Sequence, residues 1–236
     1  MGIKEIYTRE NSDYLKNNPT WHIEDSLYKA KWVINIVNRN RLFPKTIAEV
    51  GCGAGEILNQ LYSHFPDDTL FCGYDISGDA IKLAKPREKE RLTYKHEDLL
   101  AVDIKYDLLL VLDVFEHVED YIGFLRKCIC KTEYAIFHIP LEMSAQSILR
   151  NGLITSRKIC GHLHYFMKET AMATLCDAGY EITDYFYTKN YDLPTESLKT
   201  KVANIPRRIL FNLDKDIAPK LLGGFSLMVL AKIKSI

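Results

Sequence analysis

The chain reads as an α/β protein whose core is a parallel sheet with helices on both faces. Three observations predict this. Over the first two thirds of the 236 residues, short apolar runs alternate with segments of helical periodicity, the pattern of strands joined by crossover helices. One of those runs, YDLLLVLD at 106–113, is almost continuously apolar, as befits a strand covered on both faces. A glycine-rich turn, Gly51 to Gly55, follows the first strand and opens a helix.

The elements follow in order. Residues 1 to about 22 read as an irregular arm carrying Tyr7, Tyr14, Trp21 and His22. From Ser26 the pattern is helical, with Leu27, Ala30, Val33, Ile34 and Val37 on one face and Asp25 or Ser26 as the cap. Pro44 leads into a strand at 46–50. Beyond the turn, Ile57, Leu58, Leu61 and Phe65 mark a helix that Pro66 ends. LFCGYD at 70–75 is the second strand. Ser77 caps a helix with Ala80, Ile81 and Ala84, which Pro86 stops. Strands are predicted at 91–98, 106–113 and 133–140, with a helix over Tyr121 to Cys128 before the last of them. In the final third, Lys168 to Ala178 is helical with Gly179 as C-cap, and 180–188 and 225–233 are strands. Residues 189–224 between them hold Pro194, Pro206, Pro219 and a short amphipathic stretch, RRILFNL. A connection of that length is functional or mobile.

Composition narrows the function. Lys plus Arg and Asp plus Glu are both 31, so no global charge calls for a nucleic acid or a membrane surface. No apolar run reaches the roughly 20 residues of a membrane span. The polar start, MGIKEIYTRENSDYLKNN, lacks the apolar centre of a signal peptide, and a cytoplasmic location is expected. The six cysteines show no paired zinc-type spacing and read as free thiols.

The glycine turn points to a cofactor. Glycine lets a ligand approach the backbone closely, and right-handed crossovers bring every strand's C-terminal end to one edge, where α/β ligands bind. The dinucleotide fingerprint G-x-G-x-x-G is not met: the third glycine comes two residues after the second, and Glu56 stands where that fingerprint wants glycine. A carboxylate there opposes a pyrophosphate. S-adenosylmethionine carries no phosphate and removes the conflict.

Several features then coincide: E-V-G-C-G-A-G at 49–55, Asp75 ending the second strand, H-E-D-L at 96–99, D-V-F-E-H-V at 113–118 and G-H-L-H-Y-F at 161–166. Together they resemble the class I S-adenosylmethionine-dependent methyltransferases, especially the small standalone branch that includes the ubiquinone-biosynthesis O-methyltransferases. The resemblance covers roughly residues 24 to 188, and the last strand fits it. It implies a Rossmann-like, mostly parallel seven-stranded sheet whose last strand runs antiparallel between the fifth and sixth. It implies one domain over 1–236, with an N-terminal arm and helix at 1–44 and a substrate-side insertion at 189–224.

The resemblance also implies roles. The stretch Glu49, Gly51, Cys52, Gly53 and Gly55 lies against the cofactor's methionine part, with Cys52 a small residue that fits the turn. Asp75 accepts hydrogen bonds from both ribose hydroxyls, and Ile76 covers the adenine face. Asp98 meets the adenine edge through its carboxylate and Leu99 through its backbone N–H. Asp113 and Val114 line the floor near the methionine moiety. The product is S-adenosylhomocysteine.

Four histidines are candidates for a base, the group needed when the acceptor must lose a proton near neutral pH. His164 is preferred. His162 alternates with it, His117 lies at the mouth of the sheet, and His138 ends the fifth strand. No metal is assigned: the Glu116–His117 pair has been linked to a divalent metal in the ubiquinone-type relatives, but two ligands are a thin basis for a site. Arg207 and Arg208 are positioned either to meet an anionic group or to be solvated. The expected activity is O-methylation of a small molecule or glycan precursor. N-methylation fits the same motifs. A nicotinamide-dependent oxidoreductase is disfavoured by the glycine spacing and Glu56, and a noncatalytic S-adenosylmethionine-binding module would share the fold.

Overall fold

The computed structural model describes residues 20–21, 23–193 and 197–234. Tyr7, Tyr14 and His22 of the arm, and Pro194 of the connection, lie outside the described residues.

Seven strands form one sheet: β1 (Thr46–Val50), β2 (Leu70–Asp75), β3 (Leu92–His96), β4 (Tyr106–Leu112), β5 (Thr132–Pro140), β6 (Tyr180–Lys189) and β7 (Phe225–Ile233). Their order is β3-β2-β1-β4-β5-β7-β6. The first five are mutually parallel, and β7 runs antiparallel between β5 and β6. The seven-stranded expectation therefore holds, including the inserted last strand. The chain winds outward from β1 to β3, then returns to start β4 on the other side of β1. This reversal opens a crevice at the C-terminal ends of β1 and β4, the place where ligands bind in open α/β sheets.

The helices are α1 (Ile23–Arg39), α2 (Glu56–Leu61), α3 (Gly78–Ala84), α4 (Tyr121–Ile129), α5 (Ala145–Leu149), α6 (Gly152–Ile159), α7 (Lys168–Ala178), α8 (Leu198–Leu213) and α9 (Ile217–Leu222). Alternation along β4 explains its apolar run. Leu109 and Val111 pack with Phe115, Leu125 and Phe166 on one side. Leu108, Leu110 and Leu112 pack on the other side with Val33 and Ile36 of α1 and Leu58 of α2. Side chains of period two thus fill two separate cores.

Three local expectations change. The buried face of α1 is Ser26, Ala30, Val33, Ile36 and Val37, whereas Leu27 is 67% exposed. The third strand stops at His96, because Asp98 accepts the Leu100 N–H at 3.0 Å and turns the chain into a short 3-10 helix at Leu99–Ala101. The 189–224 connection is largely helical, and RRILFNL is the second half of α8. Pro206 sits inside that helix on the exposed side, where the carbonyl it leaves unpaired can face water.

Candidate active site

A cavity of about 690 Å³ opens at the strand ends, within the range typical of small-molecule sites. Its lining draws on the glycine turn, the ends of β2, β4 and β5, the 97–100 turn, α1 and the end of α6. All the expected cofactor residues except Gly55 line it: Glu49, Gly51, Cys52, Gly53, Asp75, Ile76, Asp98, Leu99, Asp113 and Val114.

The glycines in the turn answer to internal packing as well as to a ligand. Gly51 has φ +69°, and a Cβ there would meet Val114 at 2.9 Å. Gly55 has φ +76°, and a Cβ would meet the Tyr94 ring at 2.4 Å. The Tyr94 hydroxyl also donates to the Gly55 carbonyl. Beside the turn, Glu56 accepts from Asn59 and Gln60 and pairs with Arg87. Burial opposes its charge, yet these donors hold its carboxyl below the ordinary value. Its repulsion toward a phosphate is therefore partly offset, and the case against a dinucleotide rests more on glycine spacing.

Asp75 is buried at the end of β2. Its Oδ2 accepts the Gly53 N–H at 2.9 Å and its Oδ1 the Ser77 N–H at 2.8 Å. Burial raises its pKa while those two bonds pull it back. A carboxylate has about four acceptor positions, so capacity remains on both oxygens. Glu49 is also buried, and its Oε2 has no hydrogen-bond partner among the described residues. Burial pushes this carboxyl up to about 8, against the pull of Lys29 and with a further push from Asp75.

At the floor, Asp113 adopts φ +55°. Its Oδ1 accepts from His138 Nδ1 at 2.6 Å, and its Oδ2 lies 2.6 Å from Lys29 Nζ. His138 Nε2 in turn meets Thr188 Oγ1 at 2.9 Å. Burial opposes the Asp113 charge, but His138 and Lys29 hold the carboxyl well below the usual range. Both His138 nitrogens are thus engaged, which suits a brace between β4, β5 and β6 better than a base. Lys29 was missed in the sequence reading. The available signal was a lysine three residues after Ser26 and four before Val33, on what proves to be the buried stripe of α1. Tyr28 next to it exchanges hydrogen bonds with the backbone of Lys189, at 2.8 and 2.7 Å, and fastens α1 over the site.

The other histidines separate. His117 and His162 line the cavity, with ring centroids 4.7 Å apart. His162 Nδ1 lies 2.7 Å from Glu142 Oε2, and Glu142 also accepts from Ser156. His164, the preferred base, is not among the cavity residues. Its Nε2 donates to the Val118 carbonyl at 2.9 Å and its ring packs on Tyr121 at 4.3 Å. A spacing of two would put His162 and His164 on one side of an extended strand, but residues 161–167 form no strand, and only His162 reaches the site.

Glu116, His117 and His162 each offer a ligand atom, all within 4.8 Å of one another. Glu116 is fully buried, and neither of its carboxylate oxygens has a hydrogen-bond partner among the described residues. Burial, reinforced by Asp113, drives its pKa well up. The sequence showed two adjacent ligands and no metal was assigned. The fold adds a third from a segment 45 residues on, making a donor set of one carboxylate and two imidazoles that suits a divalent cation. Arg207 and Arg208 do not reach the cavity lining. The first is held by Asn204, Gln146 and the Leu222 carbonyl, the second by the Tyr191 carbonyl.

Comparisons with known proteins agree with this geometry. Residues 48–129, from β1 through α4, match the methyltransferase domain family. The chain is 26% identical over 175 residues to norajmaline N-methyltransferase of Rauvolfia serpentina, covering 66% of this chain and 54% of that protein, so it spans about half the relative's length. Magnesium protoporphyrin IX methyltransferase from Synechocystis PCC 6803, solved with S-adenosylhomocysteine bound, aligns over 98% of this chain and 92% of its own at TM-score 0.60 and 17% identity. A sarcosine dimethylglycine methyltransferase, described as putative, from Galdieria sulphuraria aligns over 88% and 85% at TM-score 0.62 and 14% identity. The domain match over 48–129, the sheet order and the strand-end cavity together support a class I S-adenosylmethionine-dependent methyltransferase.

Proposed function

We propose that the chain methylates a hydroxyl of a small molecule or glycan precursor, with His162 as the base. The observation that carries this reading is the His162–Glu142 pair on the cavity wall. A carboxylate that accepts from Nδ1 fixes the tautomer and leaves Nε2 able to take a proton. An amine acceptor would reach the same cavity, but it would need this pair less.

The residues fit the cofactor. The orphaned Glu49 oxygen is a place for its cationic end, and Asp75 has acceptor capacity left for the ribose hydroxyls. Ile76 then covers the adenine, Asp98 and the Leu99 N–H meet its edge, and Asp113 with Val114 forms the floor. When bound, S-adenosylmethionine supplies an electrophilic methyl group. The chain's own contribution is to hold the acceptor oxygen in line, take its proton on His162 and keep bulk water out. Such positioning is worth about 7–11 kcal/mol in favourable cases.

Titration calorimetry with S-adenosylmethionine and with NAD tests the cofactor reading. Binding of the first alone is expected, and Asp75→Ala should weaken it roughly 10–100-fold by removing charge-assisted bonds. Unchanged affinity in that variant would remove the ribose role.

A second reading is favoured by the unpartnered Glu116 oxygens: a divalent cation held by Glu116, His117 and His162 beside the acceptor. In that case EDTA abolishes methyl transfer and added Mg²⁺ or Mn²⁺ restores it, and Glu116→Gln raises the cation concentration required. Full activity in EDTA discards the cation and leaves His162 as base.

A further inference from the structure

We propose that the cap formed by α5, α6, α8 and α9 docks on an anionic lipid bilayer. This goes beyond the methyl-transfer reading and does not rest on it.

The first observation is where the exposed apolar side chains lie. Eleven of the seventeen large exposed ones among the described residues fall on these four helices. Five of them, Leu198, Val202, Ile205, Ile209 and Leu213, are 55–78% exposed and recur at three- and four-residue steps along α8. That spacing places them on one stripe. The opposite face holds the helix to the body: Asn204 is buried, Arg207 reaches Gln146, and Phe211 stacks on Phe225 at 5.1 Å. An amphipathic helix normally turns its apolar side inward, whereas α8 turns it to solvent. Ile148 and Leu149 on α5, and Ile154 and Ile159 on α6, enlarge the apolar surface of the cap.

The second observation is charge. The whole chain is balanced at 31 to 31, yet residues 143–168 and 197–213 contain no Asp or Glu. They carry exposed Arg150, Arg157 and Lys158 in the first segment, and Lys199, Lys201 and Arg208 in the second. On α8, Lys201 and Arg208 flank one side of the stripe and Lys199 the other. Aliphatic side chains bordered by cations with no ion-pair partner among the described residues match a bilayer interface with negative headgroups. No helix among the described residues is long and apolar enough to cross a membrane, so the contact would lie in the interface plane. A second copy is a poorer occupant, because a two-fold contact would set like charges against each other. A nucleic acid would be met by aromatic or arginine stacking rather than by isoleucine and leucine.

Cosedimentation of the full chain with vesicles tests this. Binding is expected to phosphatidylcholine vesicles with about one third phosphatidylglycerol, and to fall roughly fivefold for each cation removed in Lys199→Gln and Lys201→Gln. Ile205→Glu with Ile209→Glu should abolish it, with the circular dichroism spectrum and thermal midpoint confirming the fold. Lys199 and Lys201 are exposed, so their variants keep the test valid should the isoleucine variant unfold. Three results would overturn the proposal. One is equal binding to pure phosphatidylcholine. Another is a dimer lost in the isoleucine variant without any vesicle binding, which would assign the face to a second copy. The last is bulk tRNA displacing the protein while the isoleucine variant binds normally.

Discussion

Lys29, Asp113, His138 and Thr188 form one connected chain of polar contacts across α1, β4, β5 and β6. His138 and Thr188 are buried and Lys29 and Asp113 half-buried, and each is satisfied by the next, which is the condition under which buried polar groups are tolerated. Glu49, a short distance away, is the opposite case. Its folded pKa, near 8, lies above the ordinary 4.5 because burial disfavours its charge. Between about pH 4.5 and 8 the folded state therefore holds a proton that the unfolded state has lost. Stability from this group is present in acid and declines as pH rises, by about 1.4 kcal/mol per unit. Glu49→Gln should remove that slope. Thermal midpoints of the two proteins across pH 5 to 8 are expected to diverge in favour of the variant, and parallel curves would show that Glu49 is not buried neutral.

At the scale of elements, the glycine turn is held by what surrounds it. Gly55→Ala places a methyl against the Tyr94 ring, at a φ that disfavours side chains, and should cost about 2–4 kcal/mol. At Gly53 an added Cβ meets nothing nearer than 3.7 Å, so only the strain of φ +53° applies and the loss should be about 1 kcal/mol. Urea unfolding compares the two, and equal losses would mean that Tyr94 yields easily. Strand periodicity was highly legible: β1, β2 and β7 coincide with their expected ranges, and the others differ by a few residues at their ends. Helix faces were less so. Leu27 looked like part of the α1 stripe because the buried arc, which takes in Ser26 and Ile36, is displaced from the arc of the five apolar residues. In α8, Pro206 and the outward apolar side hid a 16-residue helix from a reading that assumes apolar means buried.

For the whole molecule, a neutral total charge was read as the absence of a membrane-surface pattern. The balance conceals a segregation: two cap segments without carboxylates meet in one surface, and their distance in sequence hid this. The cap also borders the site, since Cys160 at the end of α6 and His162 line the cavity. The succession of strands and helices, the glycine turn and Asp75 at the second strand end were all contained in the order of residues. Period, glycine and proline act over a few neighbours, so such signals survive without a structure. Tertiary packing decided which histidines face the cavity, that Lys29 neutralises Asp113, and that Glu116 and His117 acquire His162. Those relations join segments dozens of residues apart, and they exist only once burial has made a partner necessary for each charge.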